Sequence, residues 1–264
     1  MTIGLSTYAY FWRLSELVSN PMGLTDVIRH AASADVSLFQ ICDYAPLDAM
    51  TDAELEAVRA VAVEQHVTLE LGTKGVRTGH LRRFLHIAAM LDAKLLRTMF
   101  NTGDHRPDVA EATALLRAIL PELVDQGVTL ALETYEQVPT KDLVRVVRDI
   151  NHPNIGICSD PANTVAALEQ PNAVVDAVAP YVVNMHIKDF AFSRRDGWVG
   201  FTFSGAPLGD GLLDYDHMLR SIRPHARDIN QIVEHWLPWQ GTEEETLRLE
   251  DQWTQQSLKF LRSK

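Results

Sequence analysis

The sequence predicts an α/β protein folded as a (β/α)8 barrel, a TIM barrel. Three observations predict it. The chain has 264 residues, a common size for one barrel of this kind. Short β-rich runs recur eight times, most of them separated by amphipathic segments of helical period. All but the last pair of runs begin about 26 to 35 residues apart, the spacing of strand-plus-helix units. A doubly wound open sheet is the runner-up, weakened because no run leads into a glycine-rich dinucleotide loop.

The runs, in order, are Ile3–Thr7, Leu38–Cys42, Thr68–Gly72, Leu95–Phe100, Thr129–Thr134, Ile155–Asp160, Val182–Lys188 and Gln231–His235. Between them, residues 51–66, 108–127 and 140–150 carry helical patterns. Thr51 precedes Glu54 at capping-box spacing. Gly127 stands where a helix ends in a left-handed residue. The extra length before the eighth run lies in residues 190–215, rich in glycine and aromatics. It reads as a long loop on the catalytic side, a candidate lid. No linker, low-complexity segment or charge run divides the chain, so residues 1–264 read as one domain.

A net charge of −11 argues against a phosphate-backbone binder, so nucleic acid is not an expected partner. Cys42 and Cys158, far apart, read as reduced, buried thiols. The opening "MTIGLSTYAYFW" has no basic stretch followed by an apolar run. No window of roughly 18 apolar residues offers a membrane span. The expectation is a cytoplasmic protein.

Catalytic groups of such barrels sit at the carboxyl ends of the strands. The fifth to eighth runs bring Glu133, Asp160, His186 and Glu234 there, each behind apolar residues. An ion in such a place needs a partner. Three acids converging alone would repel and raise one another's pKa. A divalent cation resolves this. Three oxygens and one nitrogen without a thiolate favour Mn²⁺, Mg²⁺ or Co²⁺, with Zn²⁺ or Fe²⁺ also admissible.

This series, with "DPAN" after the sixth run and "HIKD" on the seventh, resembles the xylose isomerase-like barrels, the sugar-phosphate isomerase/epimerase group. The resemblance spans essentially the whole chain. It implies a metal held by Glu133, Asp160, His186 and Glu234, and a small keto-sugar or sugar acid as substrate. It also implies an enediolate on the reaction path, with Glu133 and Glu234 moving protons on opposite sides of the substrate carbon. A metal-dependent isomerase or epimerase is the leading expectation. By analogy with the group, a homo-oligomer is expected.

Lys188 shares a strand face with His186 and can enter the site. Tyr8, Trp12 and Trp236 are expected to wall a sugar pocket, with Phe11 and Trp239 nearby. Glu70 is expected to bind a substrate hydroxyl or to buttress Lys188 or Arg97. Arg97 is expected to hold an anionic group or to pair with Glu70. Asn163 is either a substrate ligand or a helix cap. His235 points away from Glu234 by strand alternation.

Two positions depart from the 3-epimerases of the group. They carry a histidine where Asn163 stands and an arginine where Phe192 stands, with Arg194 and Arg195 close enough to take over. The alternative is a lyase that decarboxylates a 3-oxo sugar acid or eliminates from a 3-keto-glycoside. Arg97, Lys188, Arg194 and Arg195 suit a carboxylate or phosphate. Residues 198–203 resemble the aromatic loop of the 3-oxo-isoapionate decarboxylases. An endonuclease-type barrel would need more strand-end histidines. A non-catalytic sugar sensor would be expected to have lost a ligand.

Overall fold

A run apolar on both faces is stable only when both faces are covered. The eight runs meet that need by closing on one another. The computed structural model describes all 264 residues. Its barrel strands are β1 (Ile3–Ser6), β2 (Leu38–Cys42), β3 (Thr68–Lys74), β4 (Leu95–Met99), β5 (Thr129–Glu133), β6 (Ile155–Ser159), β7 (Val182–Ile187) and β10 (Gln231–Val233). They pair in parallel in chain order, and β10 lies between β7 and β1.

The outer layer comprises α1 (Leu24–Ser33), α2 (Asp52–Glu64), α3 (Thr78–Leu91), α4 (Val109–Gln126), α5 (Thr140–Ile150), α6 (Pro161–Thr164), α7 (Pro171–Val178), α8 (Tyr215–Ile222), α9 (Pro224–Arg227) and α10 (Glu243–Arg262). The Thr51 hydroxyl accepts from Glu54 N–H at 3.3 Å, and Glu54 accepts from Thr51 N–H at 2.8 Å, closing the capping box of α2. Gly127 ends α4 with φ 64°. Cys42 and Cys158 are buried and unpaired. No helix is long and apolar enough to cross a membrane.

The segment expected to be a long loop is instead largely an antiparallel hairpin. β8 (Asp189–Arg194) pairs with β9 (Phe201–Ala206), from Asp189 opposite Ala206 to Arg194 opposite Phe201. Aromatics alternate along both arms, and Gly197 and Gly200 take positive φ in the connection. Asp189 anchors the return to the barrel. Its carboxylate accepts the N–H groups of Phe190, Gly209, Gly211 and Leu213 at 2.8 to 3.0 Å. The eighth run is also shorter than expected. Regular pairing stops at Val233, so Glu234 and His235 stand just beyond β10.

Candidate active site

Glu133 closes β5, Asp160 follows β6, His186 is on β7, and Glu234 follows β10. All four are buried. Their side chains converge on His186 Nδ1, which lies 3.4 Å from Glu234 Oε1, 3.6 Å from Glu133 Oε1 and 3.7 Å from Asp160 Oδ2. That nitrogen has no hydrogen-bond partner. The other ring nitrogen, Nε2, is 2.8 Å from Gln40 Oε1. An orphaned imidazole nitrogen facing three carboxylates fits the donor set of a divalent metal. Glu133, Asp160 and His186 place ligand atoms within 4.8 Å of one another.

Cys42, His186 and Glu234 form a second such group. The expected ligand set contained no thiol, yet the Cys42 side chain lies beside it. The signal was present in the sequence, since Cys42 ends β2 on the face that Gln40 presents to His186.

Lys188 Nζ lies 2.8 Å from Asp160 Oδ2 and 3.0 Å from Glu234 Oε2. It also stands over the Trp236 ring at 4.5 Å from the centroid. Burial opposes its charge, but Asp160 and Glu234 outweigh burial and raise its pKa. Burial likewise opposes charge on His186, and the surrounding acids hold its pKa well above the ordinary value. Burial would raise the pKa of Asp160, but Lys188 and His186 bring it down to about 2.

Asn163 reaches the cluster and does not cap a helix. Asp160 is the cap of α6, accepting Asn163 N–H at 3.2 Å. The Asn163 amide donates to Glu133 Oε1 at 2.7 Å and to Asp160 Oδ2 at 3.0 Å. Arg97 pairs with Glu133, and with Asp43 at 2.9 Å, so its expected pairing with Glu70 is not found. Asp43 went unnoticed in the sequence. It follows β2 with φ 50° and also accepts the Tyr8 hydroxyl at 3.0 Å. Arg97 and Lys74 hold its carboxyl below the usual range against the opposing effect of burial.

Two expectations are corrected. Glu70 meets neither Lys188 nor Arg97, and its oxygens do not face the mouth. It accepts from Asn230 at 2.8 Å and from Gln40 and Asn184 at 3.1 Å. The reason is its height, near the start of β3, whereas the cluster lies at strand ends. Arg194 is exposed at the far end of the hairpin, its guanidinium stacked on Trp198 at 4.5 Å and Phe201 at 4.1 Å. It lies five residues beyond Asp189, and the hairpin carries it away from the cluster.

The aromatic wall assembles at the other side of the mouth. Trp12 Nε1 donates to Leu237 O at 2.8 Å, and the Trp12 ring meets Trp239 edge-on. Tyr8, Phe11, Trp12, His235, Trp236, Leu237 and Glu250 line a cavity of about 160 Å³. His235 turns to α10, as alternation predicts, with Nε2 3.1 Å from Thr254 Oγ1. The hairpin rests on this wall. Phe203 packs edge-on against Trp236, and a Cβ on Gly205 would stand 2.6 Å from Trp236 O.

A closed (β/α)8 barrel with buried acids and an imidazole at its carboxyl end defines a class, the TIM barrels with a candidate metal site at the strand ends. More particularly, the chain belongs to the xylose isomerase-like TIM barrel family, whose model matches residues 28–264. It is 56% identical over 261 residues to a 3-oxo-isoapionate decarboxylase from Pectobacterium atrosepticum, covering 99% of this chain and 95% of that one. Among solved structures it superposes on a D-psicose 3-epimerase with D-tagatose from Clostridium cellulolyticum H10 at TM-score 0.75 and 14% identity, covering 100% and 99% of the chains. It also superposes on a xylose isomerase-like TIM barrel protein from Mycobacterium smegmatis in complex with magnesium at TM-score 0.70 and 17% identity, covering 97% and 96%. The epimerase likeness is one of fold, while the decarboxylase likeness extends to sequence.

Proposed function

We propose that the protein is a divalent-metal-dependent decarboxylase of a 3-oxo sugar acid, with 3-oxo-isoapionate or a close relative as substrate. The near full-length 56% identity to a decarboxylase of that name carries the reading. It displaces the isomerase or epimerase expectation, which rests on fold-level likeness. Glu133 is engaged by Arg97 and Asn163. A carboxylate so engaged is a poor base for proton abstraction, whereas loss of CO₂ requires no base at carbon.

In the reaction the bond between the carboxylate carbon and its neighbour breaks. Its electron pair passes into the adjacent 3-oxo group as an enolate. Glu133, Asp160, His186 and Glu234 would hold a divalent ion, which would supply Lewis-acid stabilisation of that charge; Mn²⁺ and Mg²⁺ suit these donors best. The carbon that has lost CO₂ then takes a proton. Lys188 is the proposed donor, because its ammonium is buried between Asp160 and Glu234 at the mouth. Tyr8, Trp12 and Trp236 line an apolar cavity beside the cluster, with Lys188 over the Trp236 ring, where a neutral CO₂ is accommodated more easily than a carboxylate. Arg97 holds Glu133 in place, and Asn163 ties it to Asp160.

The test uses carboxyl-¹³C-labelled 3-oxo-isoapionate and Mn²⁺-loaded protein in D₂O. Metal-dependent release of ¹³CO₂, with deuterium only at the vacated carbon, is expected. Deuterium at retained carbons of keto-sugars without CO₂ would return the assignment to an epimerase or isomerase.

A further inference from the structure

Beneath the cluster lies a closed layer of amides around Glu70. Gln40, Glu70 and Asn184 are buried. Gln40 Nε2 donates to Glu70 Oε2 at 3.1 Å and to Asn184 Oδ1 at 3.2 Å. Asn184 Nδ2 donates to the same Glu70 oxygen at 3.1 Å, and Asn230 Nδ2 to the other at 2.8 Å. Both amide hydrogens of Gln40 are therefore used, and only its oxygen remains for His186, at 2.8 Å.

We infer that Glu70 is a positioning residue that sets the tautomer of His186 through Gln40. A carboxylate accepts and does not donate. It holds the NH₂ end of Gln40, so the oxygen end must face the imidazole. His186 Nε2 must then carry a hydrogen and donate it. Its lone pair falls on Nδ1, the unpartnered nitrogen 3.4 to 3.7 Å from the three cluster carboxylates. With Gln40 reversed, Nε2 would have to accept. The hydrogen would then sit on Nδ1 and point into the cluster, closing it to a cation. Glu70 does this without touching any of the four cluster residues. Metal-binding histidines commonly donate their second nitrogen to an outer partner that fixes the ring. Here that partner is an amide, which by itself could be turned either way, and the acid behind it chooses.

The inference rests on His186 being a metal ligand, and the experiment separates the two. Glu70→Gln gives the layer a donor and frees Gln40 to turn. The swap Gln40→Glu/Glu70→Gln restores an acceptor-only group beneath His186. Titration calorimetry with Mn²⁺ is expected to show ~10–100-fold weaker binding for the single variant and recovery in the swap. ¹⁵N-histidine NMR of metal-free and Zn²⁺-loaded protein is expected to show the His186 Nε2 proton in the parent and the swap. In Glu70→Gln the Nε2–H resonance is expected to shift, because an amide that has turned no longer accepts from it.

Parent-like affinity and a parent-like Nε2–H resonance in Glu70→Gln would overturn the inference. So would equal weakness of both variants, which would mean that the layer acts by packing alone. If Glu70→Gln does not fold, Gln40→Met tests the same point. It removes the acceptor and keeps Glu70, and parent-like Mn²⁺ affinity there is equally fatal. A parent that binds no Mn²⁺ refutes the metal reading instead, and the Nε2–H resonance of the metal-free parent, compared with that of metal-free Glu70→Gln, still reports which end of Gln40 faces the ring.

Discussion

Lys188 Nζ lies 3.0 Å from Glu234 Oε2, joining the residue just beyond β7 to the residue just beyond β10. The same ammonium reaches Asp160 at 2.8 Å. One buried cation thus compensates two of the acids that would otherwise repel each other. A divalent metal bound beside them would add positive charge and loosen the lysine's hold on its proton, which is the basis for proposing Lys188 as the donor.

Replacing Lys188 by Met should therefore act on the rate more than on metal affinity. A fall in kcat of roughly 10²–10⁴-fold is expected, the usual worth of a positioned acid. Mn²⁺ affinity should stay within a few fold of the parent. Steady-state kinetics beside calorimetry checks both, and a change confined to KM would remove Lys188 as proton donor.

Loss of a cluster donor should act in the opposite order. Glu133→Ala and His186→Ala are expected to weaken Mn²⁺ binding by more than the ~10–100-fold typical of an outer partner. Variants that bind Mn²⁺ as the parent does would remove both residues from the metal site.

Gly205→Ala should disturb the mouth without touching the cluster. Its Cβ would meet Trp236 O at 2.6 Å and Trp236 C at 2.8 Å, and backbone atoms cannot turn aside as a flexible side-chain end can. Overpacking of this kind costs about 1–3 kcal/mol. A lower Tm is expected, with a higher KM as the hairpin lifts from Trp236. An unchanged Tm and KM would show that the hairpin does not bear on the mouth.

Glu250 should make stability fall as pH rises through weakly acidic values. Burial raises its carboxyl to about 7 in the fold from the ordinary 4.5. The native state therefore binds more protons than the unfolded one between those values, and stability is lost as pH increases across them. The contribution is on the order of 3 kcal/mol, full below 4.5 and gone above 7. Above that range the ionised group still accepts from Trp12 N–H at 2.7 Å and Arg13 N–H at 3.3 Å. Denaturant unfolding of the parent against Glu250→Gln from pH 4.5 to 8 reads the difference. A difference that does not vary with pH would refute it.

The barrel was legible in the sequence because strand period, helix period and unit spacing are local properties. Capping at Thr51 and Gly127 belongs to the same class, since each motif closes within four residues. Glu133, Asp160, His186 and Glu234 could be singled out because each ionisable group ends an apolar run, where it needs a partner.

What the chain could not disclose is where long side chains end. Glu70 and Arg97 look alike in sequence, each a charge inside an apolar strand. Each is the third residue of its strand, and register separates them: Arg97 lies level with Gly72, two residues beyond Glu70, so Glu70 meets Asn230 before β10 while Arg97 reaches Glu133 and Asp43. Gln40 and Cys42 lie on β2, a strand that carries no cluster acid, with Asp43 just after it, and only barrel closure brings them beside the site. Arg194 was misplaced because "DFAFSR" pairs with "FTFSGA", and the hairpin carries it outward. Periodicity determined the fold and the strand ends, because both are set by neighbours along the chain. Barrel closure and the register between strands decided which of those ends share one cluster, because that depends on residues far apart in sequence.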